Sequence, residues 1–315
     1  MEARRQGIRS GRRFAAKPGI EGLESRRLLS VARPQVRIQE IRAADGIRLV
    51  IQGSQRADVI RIEDNGTAEA GNVTVRLGNG KTYVAKRAIS TIAVQTLGGR
   101  DQVSYALTGY LGSRRGMTVE LGAGPDRFEA TIDRAIDTPD ALAIMVYGDG
   151  GNDHLSVDHT GVVRRGTFFP YLQGNDGNDV IRYTGSGEIN SGAIVAPGLP
   201  GDAGNDTITA SYTGVIGGAY LYNLTIDGGA GNDNLSNRIH VRAGSWGKIG
   251  TDEKTPALVQ GGDGDDHIDY VITYEPSASV FEVHAALIGG SGRDTVQHSS
   301  NVQTDASSEN ASVLS

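Results

Sequence analysis

The sequence predicts an all-β protein, a right-handed parallel β-solenoid (β-helix or β-roll-like) with rungs of about 27 residues and one Gly-rich Asp turn per rung. Three observations carry this. Nine glycine-rich turns deliver an aspartate (Asp58, Asp101, Asp126, Asp153, Asp179, Asp206, Asp233, Asp266 and Asp294), with steps of 43, 25, 27, 26, 27, 27, 33 and 28 residues. A recurring period of that size marks stacked repeats. Two residues after each aspartate, and seven before it, every copy is apolar: Ile60 to Val296 in one column, Ile51 to Leu287 in the other. One strand therefore enters each turn and one leaves, both pointing side chains into a core. Composition agrees: 45 glycines, 5% aromatics and no useful helical periodicity suit a thin repetitive core.

The elements follow in order. Residues 1–30 hold eight basic and three acidic side chains, so a leader of +5 precedes a body of −11 within a chain of −6. It reads as a disordered or targeting segment, and no apolar run follows its arginines, which argues against a standard signal peptide and a membrane span. Residues 31–98 read as a β lead-in or cap. The long step of 43 contains a hairpin signal, Asn72–Leu77, Gly78-Asn79-Gly80 and Lys81–Val84. Residues 99–297 are the solenoid body. One copy cannot bury its apolar face alone, whereas copies stacked about 4.8 Å apart share one core. The column nine before the aspartate includes Pro170 and Pro197, so the entry side is expected to be irregular. Thr-Gly seven residues after several aspartates signals a second bend, which fits either a three-faced rung or a two-stranded roll with a loose back turn. An insert around residues 243–253 carries the lone Trp246, read as packing locally. Residues 298–315 are Ser-, Asn- and Gln-rich and read as a polar disordered tail. There is no cysteine, hence no disulfide and no thiolate metal site.

The turns resemble the haemolysin-type calcium-binding nonapeptide of RTX proteins, Gly-Gly-x-Gly-x-Asp-x-U-x, where U is a large apolar residue. Residues 228–236, 261–269 and 289–297 fit it fully; 148–156, 174–182 and 201–209 fit except at the second glycine. In that family the nonapeptides follow one another directly and place ions along both edges. Here one motif per longer repeat implies a single row on one edge. The resemblance implies a Ca2+ ion held by Asp126, Asp149, Asp153, Asp176, Asp179, Asp202, Asp206, Asp233, Asp263, Asp265, Asp266 and Asp294. The physics agrees: calcium takes about six to eight oxygens. Stacked carboxylates roughly 5 Å apart cost about 3 kcal/mol per pair at an effective dielectric near 20, which a cation between them reverses. The other reading is that these aspartates form metal-free Asx turns, accepting backbone N–H bonds. Arg100 and Arg293, beside outer copies of the aspartate, read either as neutralisers of the column ends or as ordinary surface charge. Near the start, Leu23-Glu24-Ser25-Arg26-Arg27-Leu28-Leu29 resembles the LEPR-x-LL motif of large extracellular bacterial proteins, with Ser25 in place of its proline.

The sequence contains no His-Glu-x-x-His, Gly-x-Ser-x-Gly or phosphate-loop motif. The expectation is a non-enzymatic, calcium-binding protein of the cell exterior or surface, structural or adhesive, with polysaccharide or cell-surface components as candidate partners. Its acidic body disfavours nucleic acid. A rival reading is a β-helix polysaccharide lyase or epimerase using Asp158, His159, Arg164 and Arg165; another is a metal-free surface scaffold.

Overall fold

In the computed structural model, which describes residues 35–218, 224–250, 256–276, 278, 282–299, 303–304 and 310–314, each glycine-rich turn joins a strand of one sheet to a strand of another. The basic leader and its leucine-rich motif lie outside the described residues. Residues Val36–Ser315 form one unit, distinct from Met1–Gln35. The entry sheet runs through Gly46–Gln52, Thr91–Gln95, Arg115–Glu120, Ile136–Tyr147, Val163–Gln173, Gly198–Ala203, Thr225–Ala230, Ala257–Asp263 and Ala285–Ser291. The exit sheet runs through Val59–Asp64, Gln102–Leu107, Arg127–Ile132, His154–His159, Val180–Gly185, Thr207–Gly214, Asn234–Val241, His267–Tyr274 and Thr295–Ser299. Successive strands in both are parallel, and no helix occurs among the described residues. The protein is a parallel β-solenoid, as the period predicts, and none of its described segments is a helix long and apolar enough to cross a membrane.

Register follows the two apolar columns. Val94 pairs with Val119, Val119 with Val146 and Val146 with Leu172 in the entry sheet. Leu155 pairs with Ile181, and Ile181 with Ile208, in the exit sheet. Every residue of both columns is buried, and each such aliphatic side chain contributes about 1.5–3 kcal/mol on burial. A one-residue slip would turn an entire column outward, so the columns fix the stacking. Irregularity falls where the prolines predict it. Val163–Gln173 meets Gly198–Ala203 only at Tyr171 and Gly198, with the short strand Ala193–Val195 filling the gap. Pro170, Pro197 and Pro200 have no N–H for a continuous ladder.

The back of the rung is neither a third full sheet nor a bare turn. Single parallel bridges link Leu111 to Ile136, Val163 to Ile189 and Ile189 to Ile216, giving a narrow third corner. The expected second bend is present at Gly109 and Gly161, just past the ends of their exit strands, whereas Thr213-Gly214 lies within the strand Thr207–Gly214.

Both sheets are closed at the N-terminal end by antiparallel hairpins. Arg37–Ala43 covers Gly46–Gln52, and Val73–Leu77 with Thr82–Val84 covers Val59–Asp64, protecting edges that would otherwise invite another strand. The second is the hairpin read from Asn72 to Val84. Beneath it lies a buried ion pair. Arg115 Nε donates to Asp64 Oδ2 at 2.5 Å, Tyr105 Oη to the same oxygen at 2.9 Å, and Gly66 N–H to Asp64 Oδ1 at 2.8 Å. Arg115 also reaches the Ile89 and Thr67 carbonyls. At the far end, where the sequence reading expects an unstructured tail, Gln303–Thr304 and Asn310–Leu314 add a last strand to each sheet. The sequence between these two strands contains no glycine, so this rung does not show the motif by which the others are counted.

Candidate functional site

The nine aspartates form a continuous ladder beneath the turn surface. The backbone N–H of each donates to Oδ1 of the aspartate on the following rung: Asp58 to Asp101, Asp101 to Asp126, Asp126 to Asp153, and so on to Asp266 to Asp294, at 2.6–3.0 Å. Asp101, Asp126, Asp153, Asp179, Asp206, Asp233, Asp266 and Asp294 are at most 3% exposed. In these eight, Oδ2 is buried with no hydrogen-bond partner.

What Oδ2 faces is set by the glycine five residues earlier. A Cβ built on Gly148, Gly174, Gly201, Gly228 or Gly261 would lie 2.2–2.8 Å from both Oδ2 of its own turn's aspartate and the carbonyl oxygen of the equivalent glycine on the next rung. Only glycine leaves that space, which the partnerless Oδ2 and that carbonyl oxygen both border. Leaving such atoms unsatisfied costs about 1–3 kcal/mol each, more for a charge. Burial accordingly pushes the Asp153 and Asp206 carboxyls up to about 7, and those of Asp101 and Asp266 to about 6; neighbouring acids add to the rise and the backbone N–H bond opposes it. Asp126, Asp179 and Asp233 are raised too, chiefly by burial.

A second ladder runs the other way on the turn surface. Asn178 N–H donates to Asn152 Oδ1, Asn205 to Asn178, Asn232 to Asn205, Asp265 to Asn232 and Arg293 to Asp265, at 2.7–3.0 Å. These asparagines keep a constant place just before the aspartate, which is the signal the sequence carries for this ladder. Between the ladders, the glycine at the fourth motif position is compulsory. Gly204 has φ +132° and its missing Cβ would sit 1.7 Å from the Gly177 carbonyl oxygen.

The twelve carboxylates expected to hold metal therefore divide. Asp126, Asp153, Asp179, Asp206, Asp233, Asp266 and Asp294 are the buried ladder. The other five stand on the outer side of the turn with separate partners. Asp149 Oδ2 accepts Gly122 N–H at 3.1 Å, Asp202 Oδ2 accepts Asn175 Nδ2 at 3.1 Å, Asp263 Oδ1 accepts the Ser291 hydroxyl at 2.6 Å, and Asp265 Oδ1 accepts Arg293 N–H. Asp176 is exposed and pairs through its backbone. Where the motif lacks its second glycine, Asp149, Asn175 and Asp202 take left-handed φ of 67–73°, a conformation Asn and Asp tolerate best after glycine. Among the described residues, no three acidic or histidine side chains converge into a cage.

The donor chemistry of the buried ladder nonetheless fits a hard cation. The turns of Asp153, Asp179, Asp206, Asp233 and Asp266 each set one orphaned carboxylate oxygen and a backbone carbonyl around the same space, an all-oxygen environment of the kind calcium takes. The five outer acids do not share that environment. Neither Arg100 nor Arg293 forms an ion pair with the ladder among the described residues.

The four residues of the lyase reading are not brought together. Asp158 points to solvent, and His159, next in the strand, points into the core. There its Nδ1 lies 3.2 Å from Tyr183 Oη, its ring packs 4.9 Å from Phe168, and burial pushes its pKa down to about 4. Arg164 and Arg165 are exposed on another strand, where Arg165 Nε donates to Asp137 Oδ1 at 3.0 Å. Trp246, expected to pack locally, is 57% exposed, and its backbone N–H donates to Ile216 O.

Comparison with known protein families, curated proteins and solved structures finds no match to this chain.

Proposed function

We propose that this chain is a calcium-binding repeat protein of the haemolysin-type class that works at the cell exterior as a structural or adhesive element. One observation supports it above the rest: eight successive buried Oδ2 atoms without a donor, five of them beside a carbonyl of the next rung. A bound ion would be held by Asp126, Asp153, Asp179, Asp206, Asp233, Asp266 and Asp294 with glycine carbonyls of adjacent turns. It would supply the positive charge that this acidic column lacks. Sites with one carboxylate per turn belong with the weak, about 10⁻⁴–10⁻³ M, class used by extracellular modules, which agrees with the extracellular reading of the leader motif. Because ion binding stabilises only the folded chain, stability should track calcium.

A metal-free scaffold is the second reading, favoured by the fact that Oδ1 of every ladder aspartate after Asp58 already accepts a backbone N–H. A proton on Oδ2 would then satisfy the facing carbonyl. Asp206→Asn separates the two, because an amide supplies that donor without a charge. Calorimetric calcium titration and melting curves should show wild type stabilised by millimolar calcium, with Asp206→Asn losing part of the response. A wild type indifferent to calcium and chelator, together with a stabilised Asp206→Asn, would sink the calcium reading.

A further inference from the structure

The outer face of the entry sheet carries a cluster of aromatic rings that the turn ladder does not explain. Side chains alternate along these strands, so Tyr147, Phe169 and Tyr171 point outward while Val146, Phe168 and Leu172 are buried. Phe169 and Tyr171 have nearly parallel rings, 6.2 Å apart and inclined by 17°; Tyr147 lies 6.2 Å from Tyr171 with its ring tilted by 57°. The next rung places Gly198 opposite Tyr171. A Cβ there would fall 2.8 Å from Tyr171 Cδ2 and 3.3 Å from Cε2. The Tyr171 ring thus lies against the bare Gly198 backbone and remains partly exposed.

Hydrogen-bonding groups border the rings. Tyr171 Oη donates to Gln173 Oε1 at 3.2 Å, and Gln173 Nε2 donates to Asp202 Oδ2. The register sets Pro200 opposite Asp227, which puts Asp227 on the same outward face, and burial, with Asp202 and Asp227 adding to it, holds the Tyr171 phenol above its usual range. The Asp227 carboxylate has no hydrogen-bond partner among the described residues and is half-buried.

We infer that Tyr147, Phe169 and Tyr171, with Gln173, Asp202 and Asp227 at their rim, form a binding platform for a neutral saccharide chain. A pyranose presents C–H groups on its faces and hydroxyls around its edge. The polarised C–H groups meet the negative face of an aromatic ring, and the hydroxyls find carboxylate and amide partners of the kind that fix orientation in such sites. The same carboxylates repel uronate polymers and nucleic acid. The platform lies on the face of a sheet whose strands are already paired, so it cannot take a peptide by strand addition.

This supplies a ligand class for the adhesive role proposed above and rests on that reading, yet it uses none of the buried ladder. The test is isothermal titration of the full chain with xylohexaose, cellohexaose and laminarihexaose, and with polygalacturonate as the anionic probe, each in calcium and in chelator. At least one neutral hexasaccharide should bind, and Tyr171→Ala should weaken it by about tenfold or more, the scale of one lost aromatic contact. Tyr147→Ala should weaken it less, with circular dichroism and melting unchanged in both variants. Gly198→Ala, which keeps every ring but displaces Tyr171, should also weaken binding. The proposal is overturned if no neutral probe binds in either condition, if Tyr171→Ala binds as wild type does, or if polygalacturonate binds better than the neutral chains. Saccharide binding that persists in chelator while calcium has no effect on melting would retain the platform and reject the calcium reading.

Discussion

Asp64 and Asp206 are both buried carboxylates in one solenoid, and they are neutralised in opposite ways. Asp64, in the N-terminal capped region, meets a guanidinium, a phenol and a backbone N–H. Asp206, in the repetitive body, has one oxygen on a backbone N–H and the other facing no donor. The cap thus carries its own counter-charge, whereas the body repeats an unmet demand at every rung. A fold that can place an arginine beneath one turn leaves eight carboxylates without one. That contrast is why a proton or an external cation belongs to the body and not to the cap.

The contrast can be broken most severely at Arg115. Arg115→Met leaves Asp64 buried beside Tyr105 without its partner, an arrangement that costs about 3–5 kcal/mol. Denaturant unfolding should show that loss equally in calcium and in chelator. A loss that calcium repairs would mean that the cap and the ladder are not separate devices.

A smaller effect should appear with pH. The carboxyls of Asp101, Asp126, Asp153, Asp179, Asp206, Asp233 and Asp266 are raised in the folded state, so the folded chain binds more protons than the unfolded one, and stability falls as pH rises. For Asp153 and Asp206 the contribution is full below about 4, the ordinary carboxylate value, and is lost as pH passes through about 7. Without metal, wild type should melt higher at pH 5 than the same protein at pH 8, by a margin that Asp153→Asn with Asp206→Asn reduces. Calcium should raise the melting temperature more at pH 8 than at pH 5, because it competes with the proton. An equal calcium shift at both values would contradict a site on these oxygens.

The smallest change is expected at Asp58. Its Oδ2 already accepts Ser54 N–H at 2.7 Å, so it resembles the satisfied acids more than its own column. Asp58→Ala should cost about 1 kcal/mol and leave the calcium titration almost unaltered. A loss of calcium response as large as that of Asp206→Asn would erase the distinction between the end of the ladder and its middle.

Much of the fold was legible because the repeat exposes the same apolar offsets in every copy, from Ile51 and Ile60 to Leu287 and Val296. The hairpin around Asn79-Gly80 and the irregular entry strands at Pro170 and Pro197 were legible for equally local reasons. Side-chain direction within the strand was legible but unused. His159 stands six residues after Asp153, the same parity as the inward Leu155, and Asp158 stands between them on the outward parity. An alternation of two would have separated that pair before any coordinates. The same parity sends Tyr147 outward beside the inward Val146. Which oxygen of each ladder aspartate meets which neighbour was not legible, because it depends on the direction in which one turn settles on the next.

The two opposed ladders bear on the order in which the molecule can assemble. A growing stack ends in an aspartate whose N–H has no acceptor and an asparagine whose Oδ1 has no donor. The incoming rung brings both complements at once, its aspartate supplying Oδ1 and its fifth motif residue supplying N–H, as Asp206 and Asn205 do for Asp179 and Asn178. Each addition closes two bonds at a single corner before either flanking strand has to find its partner. The corner thereby acts as a ratchet tooth, and a chain already closed at its N-terminal end by two hairpins has one direction left in which to zip.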